Sequence, residues 1–307
     1  MKSIMKQSSR RAAFTIVELL TVMSIIVILI SLLVPALNQV KKYAYEVKQR
    51  AQLKSIDTAI ELFNSELDGY PDSSAFGPDG AEYGGALKLS EAVMGQDLLG
   101  YHPDSTFRSD GSNGVNMLYP DASTLSPEAY RANLSTRKGP YLPLDNANAY
   151  SLEDLYGSTG SFVPTHFVLC DVYKRVTHRK IGSKVGMPIL YYRANTANTL
   201  HDTTNPDNPQ NIYNYTDNQA LLALGKPWDV GNSGAPGANS TPHRLAIENG
   251  TQGLRFYWNT RNEKVLTASR PYRSDTFILI SAGWDGEYGT PDDVCNFEWR
   301  YRELQLN

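Results

Sequence analysis

An α+β fold is predicted for this chain of 307 residues, with one long N-terminal helix packed on an antiparallel sheet. Three observations predict it. An apolar block of 24 residues opens at Phe14 and carries one charge, Glu18. The helical period continues past that block in a polar setting. Beyond residue 69 the composition turns to Gly, Pro, Asn and Tyr, and apolar runs of strand length alternate with turn residues.

Residues 1–13 are polar and basic, with Lys2, Lys6, Arg10 and Arg11 and no acid. The block 14–37 covers roughly 36 Å as a helix, enough to cross a bilayer core of ~30 Å. A secretory signal peptide has a shorter apolar core followed by a small-residue cleavage site. Here the small pair Ala12-Ala13 precedes the block, so cleavage there would leave the helix on the mature chain. Charge does not orient the span, because Lys41, Lys42, Lys48 and Arg50 follow it as four basic residues precede it. Glu18 has two readings. A carboxylate at the bilayer centre costs on the order of 2.5–3.5 kcal/mol, and less near an end. Either Glu18 sits at the interface, or it has a cation at matching depth. Cleavage before Phe14 would create such a cation, the Phe14 α-amine, able to pair between neighbouring chains where pairing offsets desolvation.

Leu53, Ile56, Ile60, Phe63 and Leu67 recur at steps of 3, 4, 3 and 4, so 38–68 reads as an amphipathic helix continuing the anchor. A bend is expected at Pro35, which cannot donate its i→i−4 bond. Asp68-Gly69 should end the helix, with Gly69 as the left-handed cap and Pro71 blocking continuation. Within 69–307, helices are expected over 84–99 and 126–134 and a helical turn over 220–224. Strands are expected over 162–173, 187–192, 253–258 and 276–281. The polar stretch 195–242 reads as long surface loops.

Cys170 and Cys295 lack metal-type spacing; free thiols and a disulfide both remain open. The acidic loop 282–294 follows the last expected strand and holds Asp285, Asp292 and Asp293, with Gly286 and Gly289 allowing tight curvature. It fits either a solvated turn or a cation loop, since Ca²⁺ takes six to eight oxygens at ~2.3–2.6 Å. The EF-hand pattern is absent. A net charge of −3 gives no general case for nucleic-acid binding. His102, His166, His178, His201 and His243 form no HExxH pair, and there is no GxSxG, P-loop or GxGxxG. His166 and Cys170 on one strand would stand roughly 13 Å apart, too far for a nucleophile and its base. No enzyme is therefore expected, and a membrane-anchored enzyme is the distant alternative.

The run Ala13-Phe14-Thr15-Ile16-Val17-Glu18-Leu19-Leu20, behind a basic leader and opening a long apolar stretch, resembles the prepilin signal of type IV pilins and type II secretion pseudopilins. The resemblance implies a pilin-like fold. It implies a leader 1–13 removed by a prepilin peptidase at Ala13–Phe14, methylation of the Phe14 amine, a transmembrane helix 14–37, and Glu18 guiding subunit addition. Pro35 matches a kinking proline found in many members, and Ala13 stands where the family usually has Gly. The segments Gly139-Pro140-Tyr141-Leu142 and Pro188-Ile189-Leu190-Tyr191-Tyr192 also look like ones in major pseudopilins. Loop 282–294 resembles their calcium site, which would place side-chain ligands at Asp285, Asp292 and Asp293 and backbone carbonyls at Ala282, Tyr288 and Thr290. By the same resemblance, 69–307 is an extracytoplasmic domain with large insertions on a single-pass inner-membrane anchor. The chain would polymerise through its N-terminal helix into a periplasmic pseudopilus that helps export folded proteins. Its partners would be the peptidase, other pilin or pseudopilin subunits, and an inner-membrane assembly platform. A type IV pilus subunit for adhesion, motility or DNA uptake is the alternative, and nucleic acid is a partner only in the last case.

Overall fold

The structure, a computed structural model, describes residues 15–228, 241–246, 253–265, 268–299 and 301. The chain divides into two compact units, Met1–Ala44 and Tyr45–Asn307. Helix α1 (Ile16–Leu67) runs through both and continues through Pro35. In the first unit every described residue is exposed, and the helix is long and apolar enough to cross a membrane. Its start is a capping box. Thr15 N and Oγ1 donate to Glu18 Oε2 at 2.9 and 2.8 Å, and Glu18 N donates back to Thr15 Oγ1 at 3.2 Å. Glu18 thus has a local partner that neither sequence reading foresaw.

In the second unit α1 buries one stripe. Leu53, Ile56, Ile60 and Phe63 are at most 3 % exposed, and Leu67 packs at the edge of the same core. Against the stripe lie α2 (Gly85–Met94) and a three-stranded sheet. The sheet is built from β5 (Leu190–Arg193), β6 (Phe277–Ser281) and β7 (Val294–Cys295), all antiparallel with β6 central. Tyr191 pairs with Leu279, and Ile280 with Cys295. Period-two alternation sends Tyr191, Phe277 and Leu279 toward α1 and Tyr192, Ile278 and Ile280 into a second core. β6 is buried on both faces, which explains its unbroken apolar sequence.

Polar side chains on α1 complete this packing. Gln52 Nε2 donates to the Cys170 and Asn146 carbonyls at 2.9 and 3.1 Å, and Gln49 Oε1 accepts from Val172 N at 2.8 Å. Backbone just past β2 (Phe167–Leu169), which pairs with β1 (Ala149–Ser151), is thereby satisfied by a helix. Asp57 Oδ1 accepts from Arg273 Nη2 at 3.0 Å and Asn296 Nδ2 at 3.3 Å, tying α1 to both flanks of the sheet.

Smaller elements follow the expected pattern in part. Helix α3 (Pro127–Thr136) starts at Ser126, whose side chain caps Ala129 N. α4 (Leu144–Ala147) and α5 (Leu152–Leu155) flank β1. β3 (Val176–Thr177) and β4 (Lys184–Val185) form a hairpin. A 3-10 turn (Tyr215–Asn218) leads into α6 (Gln219–Ala223), the expected helical turn. Several expectations need correction: the helix expected over 84–99 ends at Met94, and the stretch 195–242, expected as surface loops, buries Ile212 and Tyr213 in the core. The run 253–258 is α7 (Leu254–Thr260), not a strand. Short apolar runs do not separate the two states by periodicity, and here Phe256, Tyr257 and Thr260 are buried at helical spacing. Only Phe167–Leu169 of the run 162–173 is strand. The left-handed residue ending α1 is Asp68, at φ 53°, not Gly69. Cys170 and Cys295 are buried free thiols.

Asp217 lines a polar cleft of about 640 Å³ together with Asp72, Arg193, Asn195 and Asp207. Its Oδ2 accepts from Ser73 Oγ at 2.5 Å, and burial, aided by the Asp72 charge, pushes its carboxyl up to about 8. Unfolded, it would titrate near 3.9. The stability that Asp217 supplies is complete below the unfolded value and is lost as pH rises through about 8, because the unfolded chain ionises first. Asp171, also raised to about 8 by burial, acts in the same direction. Asp217→Asn, neutral throughout, should therefore remove part of the decline in melting temperature between pH 4 and pH 9. A wild-type slope in the variant would show that Asp217 is not the group responsible.

Candidate metal centre

The acidic loop joins β6 to β7, so both of its ends are fixed by the sheet that covers α1. Gly283, Gly286 and Gly289 all take positive φ, at 65°, 74° and 88°. Gly283 is the tightest turn: a Cβ there would collide with the Asp292 carbonyl oxygen across the loop. Asp285 N donates to Asp292 Oδ2 at 2.9 Å, closing the loop on itself. Thr290 Oγ1 lies 3.0 Å from Asp292 Oδ1 and 3.2 Å from Asp293 Oδ1, so one hydroxyl serves two carboxylates. Asp293 is buried, and its oxygens also accept from Gly289 N and Thr290 N.

The electrostatics follow from this crowding. Burial first, then the adjacent Asp292 carboxylate, pushes Asp285 up to about 6. Burial pushes Asp293 well above the carboxylate range. Both shifts arise because negative charge is poorly solvated and poorly compensated there. The donors are all oxygen, the set a hard cation prefers. Asp285, Asp292, Asp293 and the expected carbonyls of Ala282, Tyr288 and Thr290 thus share one loop. The Tyr288 and Thr290 carbonyls already accept from Leu245 N and Trp299 Nε1 at 3.2 and 2.9 Å. Among the described residues no three His, Cys, Asp or Glu side chains stand at metal-holding spacing. The donor set is of the all-oxygen kind that suits Ca²⁺, but in this arrangement the three carboxylates do not converge at metal-holding spacing and the Tyr288 and Thr290 carbonyls are already engaged.

Several supporting residues escaped the sequence reading. Asp171 is buried beneath the loop and accepts from Ser281 Oγ at 3.0 Å and from Ala282 N. A lone acid in the apolar run 167–173 was the signal for it. His243 packs edge-on against Tyr288 at 4.7 Å, and Tyr288 OH donates to the Pro188 carbonyl. Trp284 meets Tyr45 and Tyr173 at 5.6 and 6.3 Å, clamping the loop to α1. Burial holds His166 and His201 down to about 4 and His243 to about 3, so these three are neutral at pH 7. Glu18 lies in the first unit; Ala13 and Phe14 lie outside the described residues.

Compared with models of known families, with curated proteins and with solved structures, the chain finds no match.

A bound dication would neutralise the loop carboxylates and stabilise the folded state by RT ln(1 + [L]/Kd), about 2.7 kcal/mol at a hundredfold excess over Kd. The melting temperature should rise with millimolar Ca²⁺ relative to chelator, less with Mg²⁺, which demands a tighter octahedron. Asp292→Ala should abolish the response. Equal melting temperatures in Ca²⁺ and chelator would make the loop an ordinary acidic turn.

Proposed function

We propose that this chain is a membrane-anchored filament subunit of the type IV pilin and pseudopilin kind, serving a periplasmic pseudopilus of a type II secretion machine. One observation carries the reading. A single helix is apolar and exposed on all sides in its first part, and buries only a stripe in its second. The first part suits hydrocarbon and, in a filament, the same part of neighbouring helices. Such helices associate by close packing and interhelical polar pairs rather than by the hydrophobic effect. The second part is the spine of a domain that stays in water.

In this reading a prepilin peptidase cuts at Ala13–Phe14, and the new amine meets a carboxylate that Thr15 already orients. Glu18 guides addition by pairing with Phe14 of a neighbouring subunit, and an inner-membrane assembly platform drives polymerisation. Calcium at Asp285, Asp292 and Asp293 secures the outer domain.

The mature protein should begin at Phe14, bearing an added methyl group. Mass spectrometry that finds Met1, or a cut after Ala36, would rule out this processing. Glu18→Val removes a membrane cost of about 2.5–3.5 kcal/mol or less and should insert normally, yet it should leave cells without filaments by electron microscopy. Normal filaments from Glu18→Val cells would refute the pairing.

A further inference from the structure

Between Asp171 and Asp202 the chain contains no acidic residue, although its net charge is −3. Five cations of that stretch, Lys174, Arg175, Arg179, Lys180 and Lys184, fall on the β3–β4 hairpin or at its base. Val176 and Val185 face each other in the register and are buried, so they root the hairpin in the core. The next pair, Thr177 and Lys184, is exposed on the other face. The turn closes through His178 N to the Ser183 carbonyl and Gly182 N to the His178 carbonyl, at 2.9 and 2.8 Å. At its tip stands Ile181, 69 % exposed and flanked by Arg179 and Lys180.

Among the described residues the neighbourhood does not cancel this charge. Lys180 pairs with Glu153 and Asp154. Among the described residues no carboxylate pairs with Lys174, Arg175, Arg179 or Lys184. Arg175 lies over the Trp228 ring at 5.0 Å, and beside it Lys226 and Arg244 outnumber the Glu287 they bind. The hairpin base also adjoins an aromatic cluster: Tyr173, one residue before Lys174, stacks with Tyr45 at 6.2 Å and meets the exposed Trp284. Cations beside an exposed aromatic ring, Trp284, and one protruding apolar side chain are what an anionic lipid surface recognises.

We propose that the β3–β4 hairpin binds anionic phospholipid headgroups, with Ile181 in the interfacial layer. The proposal relies on α1 being a membrane span, and the attraction falls off over a Debye length of about 8–10 Å.

The test uses the full chain in lipid nanodiscs of phosphatidylcholine, with or without phosphatidylglycerol. Ile181→Cys carries an environment-sensitive fluorophore; Cys170 and Cys295 are buried and spared. Brominated acyl chains serve as quencher. Each cation near the surface shifts the equilibrium about fivefold. Quenching should therefore be much deeper in anionic discs, and this excess should vanish at 1 M salt and in Arg179→Glu/Lys184→Glu. Equal quenching in both discs, or an excess that survives charge reversal, would overturn the proposal. A probe that responds to duplex DNA but not to phosphatidylglycerol would overturn it in favour of nucleic acid. A chain that does not stay with the discs would overturn the span and the proposal together, whereas a retained but unquenched chain would overturn the hairpin contact alone.

Discussion

The buried stripe of α1 is the interaction on which the second unit depends. Leu53, Ile56 and Ile60 fill the face that β5, β6 and β7 turn away from the second core. At about 1.5–3 kcal/mol for each large apolar side chain removed from water, α1 and the facing α2, with Leu89, Val93 and Met94, contribute comparable shares of that layer. The constraint is also chemical. A helix laid beside backbone that needs partners must supply them, and Gln49 and Gln52 do so for Val172 and Cys170. An apolar residue at either position would leave a buried backbone group unsatisfied, at about 1–3 kcal/mol.

The acidic loop inherits its shape from the same helix. One side is held by Trp284 against Tyr45, and just past β7 Asn296 reaches Asp57. Between these anchors, three glycines curve the segment that carries Asp285, Asp292 and Asp293. The loop is therefore a rigid feature of the sheet rather than a free surface turn. Burial there raises the carboxyls of Asp285 and Asp293 above their ordinary range.

Much of this was legible in the sequence, for identifiable reasons. The stripe 53–67 was readable because helical period and burial coincide there. The strand 277–281 was readable because an apolar run of that length suits a doubly buried strand. The run 253–258 misled because Phe256, Tyr257 and Trp258 are adjacent, a pattern that satisfies helix and strand alike. The three loop aspartates were visible as a cluster, but Asp171 and His243 support the loop from 110 or more and 45 residues away, where no local pattern reaches. The capping box of Thr15 and Glu18 was hidden by the apolar context, which drew attention to membrane cost instead of helix geometry. The basic hairpin was hidden by the whole-chain charge, since an average conceals a segregated patch.

Asp57 has one further consequence, in the order of folding. Its partners Arg273 and Asn296 lie 216 and 239 residues downstream. Loop closure over such distances is slow and must precede the contacts that reward it. A ribosome releases α1 first and the β6–β7 segment last. Until β6 and β7 emerge, only the part of the stripe that α2 and β5 face has its partners. A chain truncated shortly before β6 would keep the long apolar helix but lack the central strand of the sheet that covers its stripe.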